Sequence, residues 1–227
     1  MKHSRAIIAA VVIVLAGIAG FLAFFSVGSG EMVYVRDDAA LARERGEHLL
    51  SRRLHSTDRV KRAELLSKAI EEFKRAIELK PDFAVAYNML GHCYLERGQW
   101  ETALKHLNKA IELRPDYPAA TYNRGKVYQH LSVGKRDTQL IDKAIEDYRT
   151  ALASELAANF SGDLHKSLAD AFHQKGELDK AIAELEAYLA QSPRANDAML
   201  IRRKIRGLTL MLKGSAPPLG AAKGKPR

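Results

Sequence analysis

The chain has 227 residues, of which 47% are hydrophobic and 28% charged, a composition that is typical of folded proteins and excludes disorder throughout. Its single cysteine excludes an internal disulfide and the paired-cysteine motifs of zinc and thioredoxin-type redox sites. The formal net charge of +9 lies at the two ends of the chain, since residues 194–227 hold nine Lys or Arg against one acidic residue; the nearly neutral body is therefore not predicted to bind nucleic acid.

The N-terminal segment is predicted to anchor the chain in a membrane. Residues 6–25 carry no charge, and a helix of this length covers the roughly 30 Å hydrocarbon core of a bilayer. The stretch is longer than the apolar region of a secretory signal, about 7–15 residues, which favours a retained transmembrane anchor over 6–28; the small residues near Ser26 leave open a cleaved signal. Lys2 and Arg5 place residues 1–5 in the cytoplasm by the positive-inside rule. We therefore expect a single-pass protein of the inner (plasma) membrane whose body, after a linker over 29–38, is extracytoplasmic or periplasmic.

The body repeats an apolar pattern. Residues of the same type recur after 34 positions at Ala69 and Ala103, Ala76 and Ala110, Pro81 and Pro115, Gly91 and Gly125, and Tyr94 and Tyr128. Less regular copies continue at Ala144 and Ala181. Apolar residues at helical spacing form one stripe before Gly98 and a second stripe after it, and one helix pair cannot bury its own stripe. The pattern therefore predicts stacked helix pairs.

Residues 84–117 carry the pattern most completely. The segment Tyr87-x2-Leu90-Gly91-x2-Tyr94, followed by Ala103-x3-Leu107 and Pro115, resembles the tetratricopeptide repeat (TPR), with Tyr87 at the usual tryptophan position. The resemblance covers residues 39–195. It implies an all-α fold, a right-handed α-solenoid of antiparallel helix pairs, with repeats at about 39–83, 84–117, 118–158 and 162–195.

Two of these repeats are predicted to have longer loops between their helices. The loops span residues 55–62 and 133–137, and each contains an aspartate, Asp58 or Asp137, placed to cap the helix that follows. They are either tolerated insertions at the edge of the solenoid or contacts for a partner.

In tetratricopeptide domains the first helix of each pair lines a concave groove that binds peptides or partner helices. The resemblance therefore implies a partner-binding groove that is formed by Asn88, His92, Glu96, Tyr122, Asn123, Lys126, His130, Lys166, Asp170 and His173. Some members clamp a C-terminal carboxylate in this groove, but the clamp is incomplete here because His92 and Ser167 stand where that pattern has Asn and Arg. The alternative is that these helix faces are only solvated.

Three histidines of the groove, His92, His130 and His173, fall in successive repeats. Equivalent residues in neighbouring repeats are about 10 Å apart, too far to share a metal at ligand distances of about 2.1 Å. The sequence therefore predicts no metal site. Cys93, beside an apolar stripe, is predicted to be a buried small side chain rather than a reactive thiol.

The chain is predicted to end in an amphipathic capping helix over 196–213 and a disordered basic tail over 214–227. The capping face would consist of Met199, Leu200, Ile205, Leu208 and Leu212. The basic surface of this helix consists of Arg202, Arg203, Lys204 and Arg206. This surface is either solvated or attracted to anionic lipid headgroups. Nucleic acid is the weaker alternative, because no aromatic residue that could stack on a base follows Tyr188.

The sequence contains no phosphate-binding loop, zinc-protease motif, serine-hydrolase elbow or EF-hand loop. We therefore predict neither an enzyme nor a cofactor. The resemblance implies a membrane-tethered scaffold or adaptor that binds a partner protein or peptide in its groove. Two alternatives remain: an envelope-assembly chaperone for exported apoproteins, as in cytochrome or pilus biogenesis, and a protein that binds anionic surfaces through its basic C-terminus.

Overall fold

A computed structural model describes the backbone of residues 14–16, 21–25, 32–135 and 137–214, and side chains within 37–133 and 137–214. The predicted cytoplasmic tail over 1–5 and almost all of the predicted C-terminal tail lie outside these residues. The described helices are α1 (Asp38–Leu54), α2 (Arg59–Leu79), α3 (Ala84–Glu96), α4 (Trp100–Leu113), α5 (Pro118–Lys135), α6 (Thr138–Ala153), α7 (Ser161–Lys175), α8 (Leu178–Gln191) and α9 (Ala198–Leu212), with the 3-10 helix Glu155–Phe160 before α7. The chain divides into two compact units between Cys93 and Tyr94.

Strands, not a helix, occupy the described part of the predicted anchor. Strands β1 (Val14–Ala16), β2 (Phe21–Phe25) and β3 (Met32–Arg36) form an antiparallel sheet in the order β1-β2-β3. Valine and aromatic residues are frequent in these segments and favour extended backbone. Among the residues that the structure describes, no helix has the length and apolarity to cross a bilayer. The described residues therefore do not support the predicted membrane-spanning helix over 6–28, and the single-pass membrane localisation derived from it is wrong.

In the first unit, helices α1 and α2 pack against each other across a four-residue connection over 55–58, as in an antiparallel helical hairpin. Gly46 permits their close approach, because a Cβ atom at this position would lie 2.6 Å from the ring of Phe73. That ring is fully buried. Ala42 and Ala76 form a further buried cluster with Ala86 of α3.

In the second unit each helix from α4 to α9 packs against the next one along the chain. The largest core cluster joins residues of α6, α7, α8 and α9, with Tyr148 fully buried in it. A Cβ atom on Gly125 of α5 would lie 2.7 Å from the Tyr148 ring. The predicted all-helical fold is confirmed from Asp38 onward, and its packed helix pairs are confirmed within each unit, whereas the right-handed course of the whole solenoid stays a prediction.

The helix termini at the two predicted loops confirm one expectation and correct another. Asp58 accepts hydrogen bonds from the amides of Val60 and Lys61, and Asp137 accepts one from the amide of Gln139, so both aspartates are N-caps. The loops themselves are shorter than predicted. Helix α2 begins directly after its cap Asp58, so it forms over most of the first predicted loop, and α5 continues to residue 135 within the second.

The C-terminal helix buries a face that overlaps only in part with the predicted one: of the five predicted residues Leu208 is buried and Ile205 partly buried, whereas Leu212 is 54% exposed. Ala198, Ile201 and Leu208 are buried, and α9 packs on α8. Met199 and Leu200 are 77% and 62% exposed. Ile201 and Leu208 lie three and ten positions after Ala198, a spacing that places all three on the side of α9 that faces α8. The apolar residues Met199 and Leu200 lie beside this side and remain in water.

Candidate functional site

Helix α5 carries three of the predicted groove residues on one face. Tyr122, Lys126 and His130 lie at successive four-residue spacings, which places them above one another on a helix. The Lys126 ammonium lies 5.5 Å from the centre of the Tyr122 ring. The His130 ring stacks on the Trp100 ring, with centroids 4.5 Å apart and planes 6° from parallel. The face therefore combines a cation with aromatic surface; we call these four residues the α5 face.

The stacked histidine contributes little charge to this face at neutral pH. Shielding of its ring from water lowers the pKa of His130 below the usual value, and the neighbouring ammonium of Lys126 lowers it further. Lys126 itself forms no ion pair with a carboxylate among the side chains of 37–133 and 137–214. The α5 face therefore presents a positive charge that no described carboxylate neutralises.

Tyr122 connects α5 to α7. Its hydroxyl lies 3.3 Å from the Ser167 hydroxyl, and its ring packs near the rings of Tyr148 and Phe160. Burial raises the pKa of Tyr122, so the phenol stays protonated. Ser167, where a carboxylate clamp would have Arg, is thus engaged with a residue of the same predicted groove.

The groove residues predicted on α7 are largely neutralised within the protein. Lys166 pairs with Asp163 at 3.0 Å and with Asp197 at 3.3 Å. Asp170 pairs with Lys204 of α9. His173 is exposed. The structure therefore brings Tyr122 of α5 against Ser167 of α7, and it leaves the predicted residues of α7 with compensated charges.

The remaining groove predictions lie on α3 or inside the fold. Asn88 and Asn123 are only 5% and 8% exposed, which leaves little of either amide for a partner to contact. His92 is half-buried and Glu96 is exposed on α3. No group of three or more His, Cys, Asp or Glu residues that could hold a metal ion occurs in the described part of the chain.

A buried ion pair between α5 and α6 was not predicted. Arg124 donates two hydrogen bonds to the Asp147 carboxylate, from Nε at 2.8 Å and from Nη2 at 2.6 Å, and a third to Asn108 of α4 at 3.2 Å. Asp147 is 5% exposed, and its burial raises the pKa of this carboxyl. A signal was present in the sequence, because Arg124 stands where Leu90 stands 34 residues earlier.

The predicted basic surface on α9 is reduced by contacts within the protein. Lys204 pairs with Asp170, and Arg202 donates to the Pro193 carbonyl oxygen at 3.2 Å. Arg203 and Arg206 remain exposed. Two of the four predicted cations are thus engaged in holding α9 to its neighbours.

Comparison with protein families identifies the repeat. Two models described as tetratricopeptide repeat match residues 72–105 and 135–196, and one described as TPR repeat matches residues 91–132. Together the matched residues make up more than half of the chain. No curated protein sequence matches.

Comparison with solved structures gives the same fold. A thermophilic TPR protein from Thermus thermophilus, TTC0263, is 25% identical, with a TM-score of 0.54 over 77% of this chain and 80% of its own. MamA is 24% identical, with a TM-score of 0.53 over 69% of this chain and 79% of its own. YrrB, described as a TPR protein with an unusual peptide-binding site, is 20% identical, with a TM-score of 0.53 over 79% of this chain and 77% of its own. The last two likenesses concern the fold alone.

Proposed function

Because the chain belongs to the tetratricopeptide repeat family, we propose that it is a non-enzymatic scaffold that holds a segment of a partner protein on its α5 face. The first helix of a repeat is where the family resemblance implies binding, and α5 is the first helix of its pair. YrrB, which has a similar fold, is a TPR protein with a peptide-binding site.

The observation that carries the proposal is the charge of the α5 face. The Lys126 ammonium lies above the Tyr122 ring without a carboxylate partner among the described residues. The stacked pair of Trp100 and His130 adds flat, largely uncharged surface next to it. A cation beside aromatic rings suits a peptide segment that presents a carboxylate, from Asp, Glu or a C-terminus, next to an apolar side chain.

The face of α7 is the less suitable surface. A ligand carboxylate at Lys166 would have to displace Asp163 and Asp197, and a ligand cation at Asp170 would have to displace Lys204. Each exchange replaces one ion pair with another and yields little net free energy at an exposed position. We therefore assign partner binding to α5. Helix α7 instead helps to hold α9 in place, through the pair of Asp170 and Lys204.

The test is photo-crosslinking in cells from a photoreactive amino acid at the exposed position 133 of α5 in the full chain, followed by mass spectrometry of the adducts. We expect one dominant protein adduct. The substitution Lys126→Glu should reduce its yield about tenfold, because reversing the charge next to a bound carboxylate replaces attraction with repulsion.

Lys143→Glu is the matched control. The Lys143 ammonium lies 5.8 Å from the centre of the Tyr128 ring, so this variant loses the same kind of cation on α6. An adduct that survives Lys143→Glu and disappears with Lys126→Glu supports the α5 face. Equal loss in both variants, or no adduct, contradicts it, and many weak adducts with unrelated proteins would favour a chaperone.

A further inference from the structure

The turn between α1 and α2 carries a concentration of positive charge that the α5 face does not involve. Residues 52–62 include five Lys or Arg and one acidic residue. A cavity of about 290 Å³ opens at this turn, above the buried side chain of Leu65. Its polar lining consists of His48, Ser51, Arg52, His55, Ser56 and Lys61. We call this the turn cavity.

Carboxylates compensate the cations of the turn cavity only weakly. Neither Arg52 nor Lys61 forms an ion pair within the described side chains. The carboxylates nearby have other partners. Asp58 accepts two backbone amides as the N-cap of α2, and Glu64 pairs with Lys68 at 2.6 Å. This pairing lowers the pKa of Glu64, and the charge of Lys61, which forms no ion pair with it, lowers it further. Two like charges that converge on one cavity repel each other, and a bound anion would relieve this repulsion.

The donors match a phosphate group. A guanidinium can donate two parallel hydrogen bonds to phosphate oxygens, an ammonium adds charge, and serine hydroxyls supply further donors. The His55 Nδ1 atom donates to the Ser51 carbonyl oxygen at 2.8 Å, which fixes the orientation of that ring at the cavity. A phosphorylated side chain brings a charge of about −1.5 to −2 and three acceptor oxygens.

The shape of the cavity indicates that the phosphate is carried on a larger molecule. The lining residues other than Ser56 and Leu65 are exposed, whereas sites for small free ligands bury about 70–90% of the ligand. Leu54 and Val60, 74% and 78% exposed, lie at the two ends of the turn and offer apolar contacts to residues that flank the phosphate. From this arrangement we infer that the turn cavity binds a phosphoserine or phosphothreonine of a partner peptide.

The test measures fluorescence anisotropy of a labelled short peptide with one phosphoserine between two leucines, added to the full chain. We expect saturable binding that the same peptide with unmodified serine does not show. The double variant Arg52→Ala/Lys61→Ala should weaken binding about tenfold or more, because each residue supplies a charge-assisted hydrogen bond. These side chains are exposed, and circular dichroism should find the fold unchanged.

Arg59→Ala/Arg62→Ala is the matched control, since it removes two positive charges from the same turn without removing a lining residue. Binding that survives this variant supports a specific site. Equal loss in both double variants means general attraction to positive charge and overturns the proposal. The proposal is also overturned if the chain binds vesicles that contain phosphatidylserine but does not bind the phosphopeptide. Equal binding of the phosphorylated and the unmodified peptide overturns it as well. Lys126→Glu should leave phosphopeptide binding unchanged, so the two proposals fail or succeed separately.

Discussion

The helix pairs α1–α2 and α5–α6 share one packing contact, a glycine against an aromatic ring, but differ in the polar groups around it. In each pair a glycine of the first helix faces an aromatic ring of the second: an added Cβ atom would lie 2.6 Å from Phe73 at Gly46 and 2.7 Å from Tyr148 at Gly125. Both rings are fully buried. The Phe73 ring has no polar group, whereas the Tyr148 hydroxyl donates to the Gln129 side-chain oxygen at 2.8 Å.

The α5–α6 pair also buries a charge, and the α1–α2 pair exposes its charges at the turn. Asp147 is held by two hydrogen bonds from Arg124, while Arg52 and Lys61 of the other pair are exposed and line the turn cavity. The contact between glycine and ring sets the distance between the helices in both pairs. The residues around it are therefore free to serve stability in one pair and binding in the other.

The largest effect should come from breaking the buried ion pair. Arg124→Met leaves the Asp147 carboxylate with 7% of its side chain exposed and without its cation, and we expect a loss of about 3 kcal/mol in the free energy of unfolding. Burial already raises the pKa of Asp147. The folded variant therefore takes up a proton more readily than the unfolded chain, and the deficit should shrink as the pH is lowered.

Urea unfolding followed by circular dichroism measures this loss. Asp147→Asn introduced into the Arg124→Met variant removes the unpaired charge and should restore more than half of the stability. If Arg124→Met is as stable as the natural chain at neutral pH, the ion pair contributes nothing to the free energy of unfolding. The charged residues of the α5–α6 pair then do not stabilise it, which contradicts the comparison.

The next effect concerns the glycines that the two pairs share. Gly125→Ala should cost about 2 kcal/mol, because the new Cβ atom meets the Tyr148 ring and also the Ala144 carbonyl oxygen at 3.2 Å. Gly46→Ala should cost about 1 kcal/mol, since the Cβ atom there meets only ring atoms of Phe73, which no hydroxyl holds in place.

Gly207→Ala is the control for helix propensity. Nothing lies within 4 Å of an added Cβ atom at this position of α9, so the substitution should raise the stability by up to about 1 kcal/mol. The same unfolding measurement serves all three variants. Equal stability of the Gly125 and Gly46 variants would mean that neither the Ala144 carbonyl oxygen nor the Tyr148 hydroxyl adds to the cost at Gly125.

The sequence predicted the features that depend on spacing along the chain. The 34-residue recurrence identified Gly125 as equivalent to Gly91 in a repeated helix pair, and the two aspartates before apolar stripes were identified as caps. It did not predict the pairing of Arg124 with Asp147, since residues 23 positions apart meet only through the angle between two helices. The apolar segment over 6–25 was misinterpreted because its length fits a helix while its residue types also suit strands.

The smallest effect distinguishes the caps of the two pairs. One oxygen of Asp58 accepts from two amides, at 2.8 and 3.2 Å, while Asp137 accepts from one amide at 2.9 Å. Replacing either by Ala should cost about 1 kcal/mol, with the larger loss at Asp58, and Asn at either position should retain most of the stability. Since both caps are exposed or half-exposed, burial does not distinguish them. A larger loss at Asp137 would therefore mean that fraying at the start of α6 also weakens the hydrogen bonds between Arg124 and Asp147, which lies on that helix.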